Sequence, residues 1–362
     1  GGDMYFSATG MPLMVEMIGA DGMLKEVWAT GPKADWEYAK WVFRSTLMNA
    51  VTLIDHLWYT HLSVANSVAT VARERLLPGH PLRRLLSMMT FNTIDVNTDA
   101  GYQLLADGQI LHRGSPFEDW NAVQDAGEDS IKTWEGYFGP IADAVVRDAL
   151  HPRMKRAPFY EDGPELFAVI SKMVDGLFGV FADEWCDAST GAIRDQGVLD
   201  YAEAMEAWLR QERPARAAAN TAWLKGGDSQ AEWACAGVRK MVKVQMFAVS
   251  GFHQHVGRLA DLARNPELVG LSWVEGEAAA RPRQAMQWAL IFAATAYTGV
   301  KLNEDFRPLF SGVPHEVKVK AVLKRFRRGL RRLQKKLSLR NDARDIPYSH
   351  MLPSNAEISV FQ

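Results

Sequence analysis

Apolar and polar residues alternate in two short runs near the start of the chain. Leu13–Ile18 and Met23–Trp28 show this pattern, and Gly19–Gly22 lies between them as a glycine-bounded connection of four residues. Alternation with a period of two is typical of a half-buried strand, and a short glycine-containing connection favours an antiparallel pair. The pattern therefore predicts a small β-hairpin.

The spacing of apolar residues changes to three and four after Pro32. Between Trp36 and Arg75 this spacing continues with neither proline nor glycine, which predicts one long helix or two in succession, ended by Pro78 and Gly79. A second long, mostly apolar helix is predicted at 232–263. The other predicted elements are a short strand at 108–112, helices broken by loops at 114–165, helices at 165–184, 197–211, 283–298 and 316–339, and an extended tail at 340–362.

The composition is that of a globular protein, since 48% of the 362 residues are hydrophobic and 23% are charged. No shift in composition separates two parts, so we expect one mainly α domain. It would consist of a hairpin and lead-in at 1–31, a helical core at 32–340 and the tail at 341–362. The 41 basic and 43 acidic residues give a net charge of −2. A general nucleic-acid binder needs a basic surplus, so no nucleic-acid partner is expected.

The two cysteines, Cys186 and Cys235, are too few for a disulfide framework. This indicates a reducing compartment and predicts a cytoplasmic protein. The longest apolar stretch, around Trp288–Val300, is shorter than the roughly 18–20 residues that a membrane-spanning helix needs. No charged-then-apolar leader opens the sequence.

Two histidines in the first long helix, His56 and His61, are five residues apart. A regular α-helix places such positions about 140° apart, so both cannot face one metal ion. A π-bulge, with about 4.4 residues per turn, would bring them to within about 50° of each other, and such bulges cluster at functional sites. The alternative is two unrelated histidines, one buried and one exposed.

The second long helix carries His253 and His255. Positions two apart face roughly opposite sides of a helix, so at most one of them points into the core with His56 and His61. A lone histidine there is more often a core residue than a metal ligand. The sequence contains no glycine-rich phosphate loop, no nucleophile elbow, no HExxH and no CxxC.

The segment Lys318–Arg340 holds eleven basic residues. Two interpretations are open: a solvated face on a docked helix, or a surface that attracts anionic lipids or fatty-acid carboxylates, which would give peripheral membrane contact through 318–340. The apolar residues of the segment form a helical stripe, consisting of Val319, Val322, Leu323, Phe326, Leu330, Leu333 and Leu337.

Five stretches, taken in order, resemble motifs of the catalytic half of the lipoxygenases. They are Trp36-Glu-Tyr-Ala-Lys40, His56-Leu-Trp-Tyr-Thr-His61, His80-Pro-Leu-Arg-Arg-Leu-Leu86, Val96–Leu111 with Asn97 and Ala100, and Ser250-Gly-Phe-His253 through Val256. The end of the chain, from Ile346-Pro-Tyr348 to Gln362, resembles the carboxyl terminus of that family. The resemblance implies a lipoxygenase-like helical domain built around two long central helices.

The resemblance also implies a non-haem iron site, with manganese as an alternative metal. Its ligands would be His56, His61, His253 and the terminal carboxylate of Gln362, the last of these reached by the extended tail. Imidazole and carboxylate suit iron, and an incomplete ligand set leaves the open position that oxygen chemistry needs.

In the lipoxygenases such a site abstracts hydrogen from a bis-allylic carbon of a polyunsaturated fatty acid or related lipid, and addition of O2 gives a hydroperoxide. The expected partners are therefore a small lipid and O2. Ala100 falls at the family's small stereocontrol position, and Leu104 and Leu111 fall where bulky side chains clamp the reactive carbon. Such a pocket would be apolar and preformed. The sequence leaves the oligomeric state open.

Several positions depart from the family pattern. Gly257 stands where the family has Asn or His as a further weak ligand, so either water or His255 would fill that place. Thr52 and Gly101 replace a polar Gln and an Arg near the site, and such groups orient ligands and tune the metal. The family's amino-terminal β-sandwich and first catalytic helices have no counterpart here, which predicts a cavity that is open, differently shaped or completed by another chain.

These departures keep two other functions open. One is a specialised oxygenase of the same fold that acts on a non-standard substrate in secondary metabolism. The other is a catalytically inactive member that binds lipid, for which the basic helix would be the binding element.

Overall fold

The computed structural model describes residues 1–19, 21–110, 119–133, 157–212, 225, 233–258, 276–279, 281–295 and 299–360. Three strands come first: β1 (Gly2–Phe6), β2 (Pro12–Ile18) and β3 (Leu24–Trp28). They form an antiparallel sheet in the order β1-β2-β3. The predicted hairpin of β2 and β3 is confirmed, and β1 is an additional strand along the other edge of β2.

The first long helix begins directly after the sheet and packs on it. It consists of α1 (Lys33–Asn49), a π-helical segment π1 (Ala50–Ala65) and α2 (Asn66–Arg75), which follow one another without a break. Val15 of β2 and Val42 of α1 belong to one buried apolar cluster between sheet and helix. The helix ends at Leu76, which adopts an extended backbone two residues before Pro78. The prediction of one long helix over this range is confirmed.

Four shorter elements follow: α3 (Pro81–Met89), α4 (Thr93–Ala100), a second π-helical turn π2 (Gly101–Leu105) and α5 (Trp120–Thr133). The side chain of His80 caps α3 by accepting a hydrogen bond from the backbone N–H of Leu82 (3.1 Å). The strand predicted at 108–112 is wrong in its described part. Gly108 lies in a turn with φ +72°, a conformation that favours glycine, and Ile110 is helical. Residues 111 and 112 lie outside the described residues.

The centre of the molecule is formed by α6 (Pro158–Val180), α7 (Ala182–Trp185), α8 (Gln196–Glu212), α9 (Cys235–Phe247), a third π-helical turn π3 (Ala248–Phe252) and α10 (His253–Gly257). The last three form the second long helix. It ends at Gly257 instead of 263, because Arg258 leaves the helical backbone with ψ 58°. A glycine at the end of a helix is a common stop.

The last helices are α11 (Pro282–Thr295) and α12 (Glu316–Asn341), with a 3-10 turn at Arg307–Phe310 between them. All seven residues of the predicted apolar stripe on α12 are buried, and the helix packs along α6. From residue 342 to 360 the tail contains no helix, as predicted. Gln362 lies outside the described residues.

The two cysteines are joined in a disulfide, Cys186–Cys235, across a sequence separation of 49 residues. The bond ties the start of α9 to the segment after α7. Two cysteines are too few to predict a disulfide framework, and the sequence does not reveal this pair, because pairing depends on which segments the fold brings together and two isolated cysteines carry no spacing signal. The inference of a reducing, cytoplasmic compartment loses its premise, since disulfides persist mainly in oxidising environments.

Within the described helices, none combines the length and the apolar character required to cross a bilayer.

Candidate metal centre

The π-helical winding of π1 brings His56 and His61 together. Both imidazoles are buried, and their Nε2 atoms lie 3.1 Å apart. The hydroxyl of Thr60 donates to the backbone carbonyl of Asp55 (2.6 Å). Asp55 lies five residues earlier, which is the spacing of a π-helical turn. The geometry therefore agrees with the prediction of π winding, and it excludes the alternative of one buried and one exposed histidine.

His253 completes a cluster of three imidazoles. It follows directly on π3, is fully buried, and places its Nε2 atom 3.1 Å from Nε2 of His56 and 3.0 Å from Nε2 of His61. The three residues form a group that could hold a metal ion. Two long helices, each with a π-helical segment at or directly before its histidines, thus bring all three rings to one point.

The spacing of the three nitrogens fits a metal ion. The three Nε2 atoms lie 3.0–3.1 Å from one another, so one ion could contact all of them. One cation at this point would accept all three lone pairs, whereas three converging imidazoles cannot all satisfy one another by hydrogen bonding. Imidazole nitrogens suit a transition-metal ion.

Asn97 fixes the orientation of His61. Its side-chain Nδ2 donates to the backbone carbonyl of His61 (3.0 Å), so its Oδ1 faces the ring and accepts a hydrogen bond from Nδ1 of His61 (3.0 Å). With the proton on Nδ1, the lone pair of Nε2 points to the centre of the cluster. Sequence reasoning included Asn97 only as a motif residue and missed this role. Its fixed place before Ala100 was the available signal.

His255 points away from the cluster. Its ring stacks on Phe159 with centroids 3.9 Å apart, and its Nδ1 shares a hydrogen bond of 2.9 Å with the hydroxyl of Tyr348. Burial, with a smaller contribution from the nearby His350, lowers the pKa of His255 to about 4, so the ring is neutral near pH 7. The structure therefore places His255 between the second long helix and the tail, not beside His253.

The tail is held in place by a buried carboxylate. Asp162 of α6 is fully buried and pairs with Arg340 and, through two bonds of 2.8 and 2.9 Å, with Arg344. Asn341 binds the backbone of Tyr348 at both its N–H (3.0 Å) and its carbonyl (2.9 Å). This network connects the end of α12 to the tail and, through Tyr348, to the helix that carries His253.

The predicted substrate residues are placed only in part. Ala100 is buried at the end of α4, and Leu104 in π2 is half-buried. Leu104 packs against an apolar cluster that includes Leu57, the residue next to His56. Leu111 and Gln362 lie outside the described residues, so their predicted roles remain predictions.

Gly257 lies against the cluster, one turn after His253. A Cβ atom at this position would lie 2.6 Å from Nε2 of His56 and 3.1 Å from Nε2 of His253. Contacts below 3.0 Å are not tolerated, so even alanine would push the His56 ring aside. The backbone at Gly257 thus reaches the place where the rings converge.

We expect Gly257→Ala to weaken metal binding about 10- to 100-fold, because the new methyl group displaces an imidazole from the triangle. The measurement is a competition titration with a chelator of known affinity, with circular dichroism as a check on folding. The matched control is Gly179→Ala in α6, where a Cβ meets nothing within 4 Å. Equal metal affinity in the two variants would contradict the expectation.

No family model matches the sequence. Individual relatives do: the polyunsaturated fatty acid lipoxygenase ALOX15 of Oryctolagus cuniculus is 26% identical over 355 residues, and ALOX12 of Homo sapiens is 26% identical over 350 residues. Each match covers 91% of this chain and 49% of the relative, so the chain spans about half the length of these curated relatives.

Solved structures show the same likeness. A coral 8R-lipoxygenase superposes with a TM-score of 0.74 at 17% identity, covering 99% of this chain and 55% of the other. The manganese lipoxygenase of Gaeumannomyces graminis gives a TM-score of 0.67 at 16% identity, covering 99% and 66%. The chain is therefore a lipoxygenase-like helical domain in fold. Its sequence relatives are lipoxygenases as well, which confirms the resemblance drawn from the five motifs.

Proposed function

We propose that the chain is a non-haem iron dioxygenase of the lipoxygenase type, acting on a polyunsaturated fatty acid or a related lipid. The observation that carries the proposal is the buried triangle of His56, His61 and His253 inside a lipoxygenase-like fold. The proposal includes the terminal carboxylate of Gln362 as a further ligand and residues 1–362 as one domain. Manganese is the alternative metal, as the name of one structural neighbour indicates.

In this proposal, different residues hold the metal ion, orient a ligand and line the substrate pocket. The three imidazoles would hold the ion on one face, and Asn97 keeps His61 in the tautomer that can bind it. Leu104, together with Leu57, supplies an apolar wall that excludes water from a lipid chain, and the small Ala100 leaves room beside it. A bound iron would supply the one-electron chemistry that removes a hydrogen atom from a bis-allylic carbon, so that O2 adds and a hydroperoxide results.

The direct test is metal content and oxygen uptake of the same preparation. About one iron per chain by elemental analysis, with O2 consumed on addition of linoleate or arachidonate and a conjugated diene formed, is the expected result. Omission of O2 is the control for diene formation. A folded protein that binds no redox metal and consumes no O2 would overturn the proposal and favour an inactive lipid-binding protein.

A second candidate is an oxygenase of the same type with a non-standard substrate. Two features of the structure favour this second candidate. Gly257 has no side chain to offer to the histidine cluster, and the hydroxyl of Thr52 donates to the sulfur of Met48 (3.7 Å). Both positions hold polar groups in the family motifs, and such groups tune the metal. Stoichiometric iron together with slow turnover of linoleate and arachidonate, but fast O2 uptake with another unsaturated lipid, would support it.

A further inference from the structure

A groove runs between α6 and α12, and three residues of the buried stripe, Val322, Phe326 and Leu333, line it. Its volume is about 710 Å³, and its floor is apolar, with Val169, Met173, Val322 and Phe326 among the lining residues. Basic side chains stand along it at helical spacing. We call Arg325, Arg328, Arg332 and Lys336 of α12 the basic ridge.

The basic ridge is exposed, and most of it lacks an acidic partner. Lys336 pairs with Glu165 (2.7 Å), which also binds Arg340. Among the residues that the structure describes, Arg325, Arg328 and Arg332 form no ion pair. Lys172 faces the groove from α6 and adds a further positive charge. Like charges at this spacing repel one another. An anion bound in or over the groove would reduce this repulsion between the basic side chains.

The buried stripe decides how α12 can meet a membrane. All its apolar residues pack inside the protein, so α12 cannot lie in a bilayer as an amphipathic helix does. The exposed side of α12 between Lys324 and Lys336 is mainly basic, which favours electrostatic contact through the basic ridge. If residues 318–340 contact a membrane, as the sequence predicts, they would do so through the basic ridge.

We propose that the basic ridge and its groove bind anionic phospholipid at a membrane surface. Arginine forks match the geometry of phosphate oxygens, and an apolar floor beside them suits the upper part of an acyl chain. A nucleic acid would use the charges alone, because the one aromatic lining residue, Phe326, is buried and cannot stack on a base. The proposal concerns a surface distinct from the histidine cluster and does not depend on the proposed function.

The test is cosedimentation of the full chain with vesicles of phosphatidylcholine alone or with phosphatidylserine. We expect binding only to the anionic vesicles, weakened by salt. The triple variant Arg325→Gln, Arg328→Gln, Arg332→Gln should lose about a hundredfold in affinity, at roughly fivefold per arginine near the surface. The matched control is Lys33→Gln, Arg44→Gln, Arg75→Gln, which removes the same charge from exposed positions outside α6 and α12.

A second variant separates the groove from charge alone. Ala168→Trp fills the groove without altering the charge and should also weaken vesicle binding. Equal losses in the ridge triple and the control triple would overturn the proposal, as would binding to nucleic acid but not to vesicles. Iron content and O2 uptake, measured on the same variants, should stay unchanged, so that a failure here is distinguishable from a failure of the proposed function.

Discussion

Replacing His253 by alanine will abolish stoichiometric metal binding. The variant removes one corner of a triangle whose edges are 3.0–3.1 Å, and it leaves His56 and His61 as a pair on one helix. The two remaining imidazoles would supply one ligand fewer to the ion. We expect the affinity to fall by at least about a hundredfold, since loss of groups that merely orient ligands already costs 10- to 100-fold. Elemental analysis after dialysis and a chelator competition measure the change.

The control for this variant is His315→Ala. His315 is an exposed histidine that pairs with Glu184, far from the cluster in the sequence. It should retain the metal content of the parent chain. Because His253 is fully buried, circular dichroism and a thermal melt must show that the variant is folded before its metal content is interpreted. Near-stoichiometric metal in folded His253→Ala would refute the three-histidine site.

Replacing Asp162 by alanine will cost about 3–5 kcal/mol of unfolding free energy, a large part of the stability of an ordinary domain. The carboxylate is fully buried and compensates Arg340 and Arg344, both of which are mostly buried. Burial lowers the pKa of Arg340, but hydrogen bonds to Glu165 and Asp162 outweigh it and raise the pKa overall. The ordinary pKa of an arginine is above about 12, so both guanidinium groups stay charged in the variant and are left with less compensation.

Urea unfolding followed by circular dichroism measures this loss. The matched control is Asp342→Ala, an exposed carboxylate in the same tail, for which we expect a change within about 0.5 kcal/mol. The loss should be accompanied by faster proteolysis of the tail, because Asn341 and Tyr348 depend on the position of α12. A change in Asp162→Ala as small as that of the control would show that the network does not hold the tail.

The long helices and the hairpin were predictable because each depends on local spacing. Spacing alone left the pairing of His56 with His61 open between a π-bulge and two unrelated histidines, and the resemblance to the lipoxygenase motifs favoured the pair that the structure shows. The end of the second long helix was not predictable: a continuing apolar spacing did not reveal that Arg258 leaves the helical backbone. Local pattern describes what a segment prefers, and the end of a helix depends also on what it packs against.

The parts of the site that the sequence did not reveal are long-range contacts. Asn97 reaches His61 across 36 residues, and Tyr348 reaches His255 across 93. The disulfide joins residues 49 apart. None of these pairs has a spacing with physical meaning along one element, so only the assembled fold brings them together. Spacing alone also left the choice between His253 and His255 open, because opposite faces of one helix are equivalent until a neighbouring helix covers one of them. The resemblance to the family motif is what selected His253.

The π winding of π1 has a consequence for changes in chain length. An α-helix turns about 100° per residue and a π-helix about 82°, so four α steps and five π steps both return to within about 40–50° of the starting direction. Histidines four apart on an α-helix and five apart on π1 would therefore converge in nearly the same way. One residue inserted between two histidines of an α-helix would therefore leave both rings on the same side, provided that the helix widens to π winding.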